Sequence, residues 1–209
     1  GLGNLSLLVA FKLVPPALKA LLESGEANID GFILPGHVST IIGIHPYEFL
    51  GDDYSVPSVV TGFDARDILE GILLVLSQIY SGTAVVQNQY RKVVREEGNP
   101  RAVEMIHQFY RPADVCWRGI GTIPGSGLVL KDEYGDRDAL RVTGLDPAAI
   151  PDKPEPRGCS CGEVLRGIKI PTECTLFGTR CTPEKPVGAC MVSTEGSCAA
   201  YYKYGGPAR

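Results

Sequence analysis

The sequence predicts an α/β fold: a parallel sheet flanked by helices, followed by a small cysteine-rich domain of mainly helical or irregular structure. Three observations carry this. Short valine- and isoleucine-rich runs alternate with helix-patterned runs over the first part of the chain. Six of the seven cysteines fall within residues 159–198. A stretch with four prolines, GLDPAAIPDKPEPRG at 144–158, reads as a semi-rigid connector between the two zones. The expected boundaries are 1–141 for the α/β part, 142–158 for the connector and 159–209 for the cysteine-rich part.

The elements follow in order. Pro15-Pro16 precedes Ala17, Leu18, Leu21 and Leu22, and Gly25 follows. Proline at the opening and glycine past the end mark a short helix. Asp30-Gly31 leads into Phe32-Ile33-Leu34, a buried strand stopped by Pro35-Gly36, and residues 39–43 start a helix. Residues 57–63 are rich in valine and predict a second strand. Asp64 caps the next segment, where Ile68, Leu69, Ile72, Leu73, Leu76 and Ile79 recur at helical spacing. Further helices are expected over 85–97 and 100–110. A third strand is expected over 115–123, followed by the turn Pro124-Gly125-Ser126-Gly127. Residues 191–198 lead into a last helix through Ala199, Ala200, Tyr201 and Tyr202.

Composition excludes several function classes. The chain has 209 residues, 44% hydrophobic and 21% charged, which is a folded globular mixture. A chain this long buries roughly 70% of its unfolded surface and needs no covalent staples. The formal net charge is −4, and Arg91, Lys92 and Arg95 sit beside Glu96 and Glu97. That pattern is a solvated face, not a nucleic-acid footprint. The apolar windows 5–14 and 68–79 contain Lys12 and Glu70 and fall short of the ~20 residues of a membrane crossing. No basic residues precede the window 5–14 and no small-residue cleavage pattern follows it, so it does not read as a signal peptide. The chain opens without Met and reads as the interior of something longer. Asn4-Leu5-Ser6 is a chance match to a glycosylation sequon in a cytoplasmic protein.

Three strand ends are loaded with small or polar residues: PGHVS at 35–39, TGFD at 61–64 and PGSG at 124–127. Ligands of open α/β sheets bind beyond the carboxyl ends of the strands. Gly36 allows close backbone approach, and His37 and Ser39 would stand at a helix N-terminus, so these three form a candidate cleft loop. The plainer reading is a Gly/Pro turn with Ser39 as a helix cap and His37 as a hydrogen-bonded loop histidine. Gly119-Ile120-Gly121 begins a dinucleotide pattern, but Pro124 stands at its third glycine position. No phosphate-loop motif or nucleophile elbow accompanies the three histidines His37, His45 and His107.

The cysteines admit disulfides, zinc or an iron–sulfur cluster. Nothing in the chain points to export, which disfavours disulfides. Zinc usually takes repeated C-x2-C pairs, whereas the nearest pair here is Cys159-Ser160-Cys161, with no histidine in the segment. An all-thiolate site suits an iron–sulfur cluster. A four-iron cluster takes four thiolates and leaves two. One division assigns Cys159, Cys174, Cys181 and Cys198 as ligands and leaves Cys161 and Cys190 as a dithiol able to store two electrons. The plainer reading of the spare pair is buried small hydrophobes. Arg157, Arg166, Lys169 and Arg180 lie close enough in sequence to lower thiol pKa values. Tyr201, Tyr202 and Tyr204 are expected to shield the site.

At family level, DGFILPGHVSTIIG, VVTGFDARDIL, NQYRKVVREEGNPRA, WRGIGTIPGSGL and CSCGEVLRG…PTECTLFGTRCTPEKPVGACMVSTEGSCAAYYKY resemble the HypD family of [NiFe]-hydrogenase maturation proteins. The likeness covers nearly the whole chain. It implies a [4Fe-4S] cluster on the C-x14-C-x6-C-x16-C pattern, here Cys159, Cys174, Cys181 and Cys198. It implies a redox dithiol, Cys161 and Cys190, as in ferredoxin–thioredoxin reductase. It also implies cytoplasmic work with HypC and HypE as a scaffold on which the Fe(CN)2CO unit is assembled from iron. The family is longer and carries a CPVC-type motif in an N-terminal α/β domain. That motif is absent here, so the resemblance implies a C-terminal portion. Cys116 matches none of the family's functional cysteines and is read as structural. Two other readings stand beside this one: a free-standing thiol–disulfide oxidoreductase, and a zinc-stabilised interaction module.

Overall fold

The computed structural model describes residues 3–145 and 156–205. Along the chain run α1 (Val14–Glu23), β1 (Phe32–Pro35), α2 (Gly36–Ile42), α3 (Phe49–Asp52), β2 (Ser58–Thr61), α4 (Ala65–Ser81) and β3 (Val86–Asn88). Then follow α5 (Pro100–Phe109), β4 (Tyr110–Trp117), β5 (Gly121–Leu130), α6 (Ala139–Thr143), α7 (Cys161–Leu165), α8 (Ala189–Val192) and α9 (Ser197–Tyr204). The chain forms two compact units: Ile29–Arg111 with Val129–Asp132, and Gly1–Asn28, Pro112–Leu128 and Glu133–Arg209. Most of the expected connector, 146–155, lies outside the described residues.

The first unit is the parallel α/β body. Its sheet order is β1–β2–β3, with Phe32 opposite Ser58 and Ser58 opposite Val86, both pairings parallel. Parallel strands need helical crossovers that cover the sheet. Accordingly α4 connects β2 to β3 and packs on β1 and β2, while α2 packs on both strands and on α5. All four residues of the central strand β2 are buried, with Leu34, Tyr47, Leu50 and Val94 completing the core. Asn99 caps α5 by accepting the Ala102 N–H at 3.1 Å. Asp64 stands at the N-cap of α4 but makes no side-chain capping bond.

Helix α4 is apolar on two faces. Gly71 and Gln78 are buried, whereas Leu69, Leu73, Leu76 and Tyr80 are 67%, 62%, 56% and 95% exposed. At 100° per residue these two sets lie on opposite sides of the helix. The periodic leucines therefore mark the outward face, and the small Gly71 marks the side that meets the sheet.

Two expected elements differ. The helix expected over 85–97 is instead β3 followed by turns. The Gln89 N–H still bonds to the Val60 carbonyl at 2.9 Å, and Asn88 Nδ2 donates to the Val94 carbonyl at 2.9 Å, folding the chain back on itself. The strand expected over 115–123 is a hairpin: β4 and β5 pair, and the chain reverses between them. Gly119 and Gly121, with φ of 92° and 109°, permit that reversal. The PGSG segment is consequently internal to β5 and does not end a strand of the parallel sheet.

In the second unit, α1 runs from a proline-led first turn as expected. Trp117 Nε1 donates to Ser126 Oγ at 2.8 Å across the hairpin, and the Gly125 N–H donates to Asp114 Oδ1 at 2.8 Å. Arg166 forms an ion pair with Glu26. Helices α7, α8 and α9 carry three of the six clustered cysteines. No helix among the described residues is long and apolar enough to cross a membrane.

Candidate functional site

Pro35 ends β1, and residues 36–39 form the first turn of α2, so PGHVS is a direct strand-to-helix junction and not a loop. Gly36 is buried: a Cβ there would stand 2.2 Å from the Thr61 carbonyl oxygen. Ser39 is fully buried, and its hydroxyl donates to the Pro35 carbonyl at 2.9 Å. Of the three candidates only His37 is exposed, with its ring 4.2 Å from that of Phe63 just beyond β2. The sheet brings these two strand ends together. A neighbouring cleft of about 630 Å³ is lined by Asp64, Asp67, Glu70, Gln89, Tyr90 and Arg91. There Gln89 Nε2 donates to Asp67 Oδ1 at 3.0 Å and to Glu70 Oε2 at 3.1 Å, and its Oε1 accepts the Gly62 N–H at 3.3 Å. The sequence reading missed Gln89 because it assigned that stretch to a helix. The TGFD strand end was the available signal.

The six cysteines of 159–198 share one hydrophobic core. Cys161, Cys174, Cys181, Cys190 and Cys198 are buried there with Leu176, Met191 and Ala199, and Cys159 packs at its edge. Local structure explains the gathering. Cys161 opens α7, Cys190 lies in the first turn of α8, and Cys198 in the first turn of α9. Cys174 follows a 3-10 turn, Pro171–Glu173, and Cys181 ends a tight turn in which its N–H bonds to the Leu176 carbonyl at 2.8 Å.

Backbone groups address the sulfurs. The Val187 N–H donates to Cys181 Sγ at 3.4 Å, and the Cys190 N–H to Cys161 Sγ at 3.3 Å. Cys161 Sγ lies 2.7 Å from Cys190 Sγ. The hydrogen bond with Cys161, then burial, push the Cys190 thiol up from its ordinary value. Burial, then the neighbouring Cys161, Cys174, Cys181 and Cys159, push the Cys198 thiol up to about 11. Two of the four nearby cations are engaged away from the sulfurs. Lys169 Nζ is held by Glu163 at 2.8 Å, and Arg166 by Glu26 and the Gly162 carbonyl, so both charges are matched locally. The Phe177 ring packs against the cysteine core and meets Tyr201 and Tyr202 edge-on at 6.2 and 5.9 Å. Tyr204 points away and is 74% exposed. Cys116 stands apart with an exposed side chain, and its carbonyl accepts from Lys12 Nζ at 2.6 Å.

Among the described residues, no three His, Cys, Asp or Glu side chains converge as they would around a single metal ion. A polynuclear cluster puts its own irons and sulfides between the thiolates, so it takes a wider setting of the same all-sulfur donors.

The family model for HypD, described as "Hydrogenase formation hypA family", matches residues 1–205. The chain belongs to the HypD family. Its similarity to curated HypD proteins covers nearly the whole chain. It is 46% identical to the hydrogenase maturation factor HypD of Rhodobacter capsulatus over 211 residues, covering 99% of this chain and 55% of that protein. It is 42% identical to HypD of Rhizobium leguminosarum over 98% of this chain and 54% of that protein. With HypD of Cupriavidus necator it shares 41% identity over 97% of this chain and 54% of that protein. The chain thus spans about half the length of the HypD relatives it matches.

Proposed function

We propose that this HypD-family chain acts in [NiFe]-hydrogenase maturation as a cytoplasmic iron–sulfur redox scaffold. In this reading Cys159, Cys174, Cys181 and Cys198 hold a [4Fe-4S] cluster, and Cys161 with Cys190 is an exchangeable dithiol. The single observation that carries it is the one hydrophobic core that gathers Cys161, Cys174, Cys181, Cys190 and Cys198, with Cys159 at its edge and the Cys161 and Cys190 sulfurs in contact. Soft thiolates in apolar surroundings fit an iron–sulfur cluster. The Val187 N–H directed at Cys181 Sγ and the Phe177–Tyr201–Tyr202 aromatics supply the hydrogen bonding and solvent exclusion that tune such a site. When bound, the cluster supplies electrons one at a time beside the pair.

The chemistry of the chain itself is thiol exchange. A thiolate of the pair attacks a disulfide sulfur of its exchange partner, the CPVC-type motif of the family's N-terminal half, forming a mixed disulfide and releasing one partner thiolate. The second sulfur of the pair then attacks the first. That step closes the Cys161–Cys190 disulfide and releases the other partner thiolate. Two electrons leave the pair, and its two protons end on the partner's two thiols. The Cys190 N–H directed at Cys161 Sγ stabilises charge on that sulfur as it forms. The partner set is HypC and HypE, with iron and its Fe(CN)2CO form as cargo. Of the candidate residues Gly36, His37 and Ser39, only His37 has a side chain exposed to meet such cargo.

Anaerobic purification followed by iron, acid-labile sulfide and zinc analysis tests the cluster. Four irons and four sulfides per chain are expected. One zinc and no sulfide would replace this reading with a zinc-stabilised interaction module. Stoichiometric capture of HypC separates the scaffold from a free-standing oxidoreductase, which would turn over a soluble disulfide without retaining HypC.

A further inference from the structure

Gly188 is the N-cap of α8, with φ −89° and ψ 155°. That is ordinary extended backbone, open to any L residue. The turn therefore does not demand glycine here. The sulfurs do. A Cβ at this position would stand 2.5 Å from Cys159 Sγ, 3.4 Å from Cys161 Cβ and 3.9 Å from Cys161 Sγ. The space a side chain would take here is thus bordered by a cysteine of the proposed ligand set and one of the proposed dithiol. A cysteine side chain has a single rotatable bond, so its sulfur avoids a new methyl only by leaving its rotamer.

We infer that Gly188 is a positioning residue: the space of its absent side chain is filled by the Cys159 thiol, and its smallness keeps that thiol beside Cys161. The α8 helix that starts at this glycine also carries Cys190. One position therefore sets the spacing between a ligand sulfur and both members of the pair. The steric part stands without any cluster. Only its consequence for loading rests on the function proposed above.

A double-mutant cycle on the reduced, metal-free chain tests the steric part. Gly188→Ala is expected to lower the melting temperature by about 5 °C, as overpacking of a buried contact does in a chain of this size. In a Cys159→Ala background, where the opposing sulfur is gone, the same substitution is expected to cost less than half of that shift. Gly3→Ala, at a glycine with open space around it, is expected to leave the melting temperature unchanged. A harmless Gly188→Ala overturns the inference, and so does an equal loss in both backgrounds. The loading arm uses anaerobic reconstitution with iron and sulfide. Gly188→Ala is expected to lose most of its acid-labile sulfide, or to keep it with an altered electron paramagnetic resonance spectrum of the reduced cluster, while Gly3→Ala matches the wild type. Full loading with an unaltered spectrum overturns the role toward the cluster. A wild-type chain that takes up no sulfide overturns the cluster reading and leaves the cycle to decide the steric part.

Discussion

Cys161 Sγ and Cys190 Sγ, 29 positions apart in sequence, lie 2.7 Å from each other inside a core that contains four further cysteines. Packing brings them together, since each sits on a different short helix and neither helix is stable alone. Their contact also keeps Cys190 protonated beyond the ordinary thiol range.

That contact predicts an order of alkylation in the reduced, metal-free chain. Cys116 is exposed and reacts first with iodoacetamide. Cys190 is buried, with its thiol pushed up, and reacts last, slower by at least roughly tenfold, because the thiolate is the nucleophile. Mass-spectrometric mapping at pH 7.5 reads the order. Equal rates at the two positions would show that the Cys161–Cys190 contact does not hold in solution.

His45 gives a titration test in the α/β unit. Its Nδ1 lies 2.8 Å from Glu48 Oε1, and that hydrogen bond, then the carboxylate charge, raise the histidine above its ordinary 6.5. The folded chain binds the proton more tightly than the unfolded one. The pair's contribution to stability is therefore complete below pH 6.5 and is lost as pH rises through the raised value. Both side chains are exposed, so the contribution is small. An NMR titration of the His45 ring should show a midpoint above 6.5 that falls back in Glu48→Gln. An unchanged midpoint in that variant rules the pairing out.

The two faces of α4 predict opposite outcomes. A Cβ at Gly71 would stand 2.2 Å from Thr61 Cγ2. Gly71→Ala gains up to about 1 kcal/mol of helix propensity but meets overpacking of about 1–3 kcal/mol, for a net loss of stability. Leu73→Gln removes an outward leucine and should change stability by less than about 0.5 kcal/mol. Urea unfolding of both variants checks this. A larger loss in Leu73→Gln than in Gly71→Ala would reverse the assignment of faces.

What the sequence revealed follows how local each signal is. Pro15-Pro16 and Asn99-Pro100 open helices through their own backbone chemistry, and both helices stand where expected. The strands β1 and β2 were visible as short apolar runs ended by Gly or Pro, although β1 is not the buried strand expected: only its Leu34 is buried, and Ile33 is exposed. Strand β3 was not, because three residues are too few to show a period of two. Only pairing with β2 makes Val86–Asn88 a strand. For the same reason, periodicity along α4 located a helix but not its inward face, which a glycine marks. At the site, the crowding of six cysteines into 159–198 was visible, and the structure packs them about one hydrophobic core. The contact of Cys161 with Cys190 and the close approach at Gly188 depend on three short helices meeting, which no local pattern encodes.

The division of the six cysteines makes the sharpest prediction. Cys161→Ala removes one member of the touching pair and none of the proposed ligands. It should retain iron and acid-labile sulfide near the wild-type level and lose disulfide exchange. In the metal-free chain it should also speed the alkylation of Cys190, because the hydrogen bond with Cys161 is the largest cause of that thiol's upward shift. Cys174→Ala removes a buried sulfur outside the pair, one whose Sγ lies 3.8 Å from the Gly158 carbonyl. It should lose the cluster and leave the exchange chemistry of the metal-free pair intact, as counted by a disulfide reagent. Iron, sulfide and thiol counts on each of the two variants separate the two roles. If both variants lose the cluster equally, Cys161 is a ligand, and the dithiol must be sought elsewhere among the six.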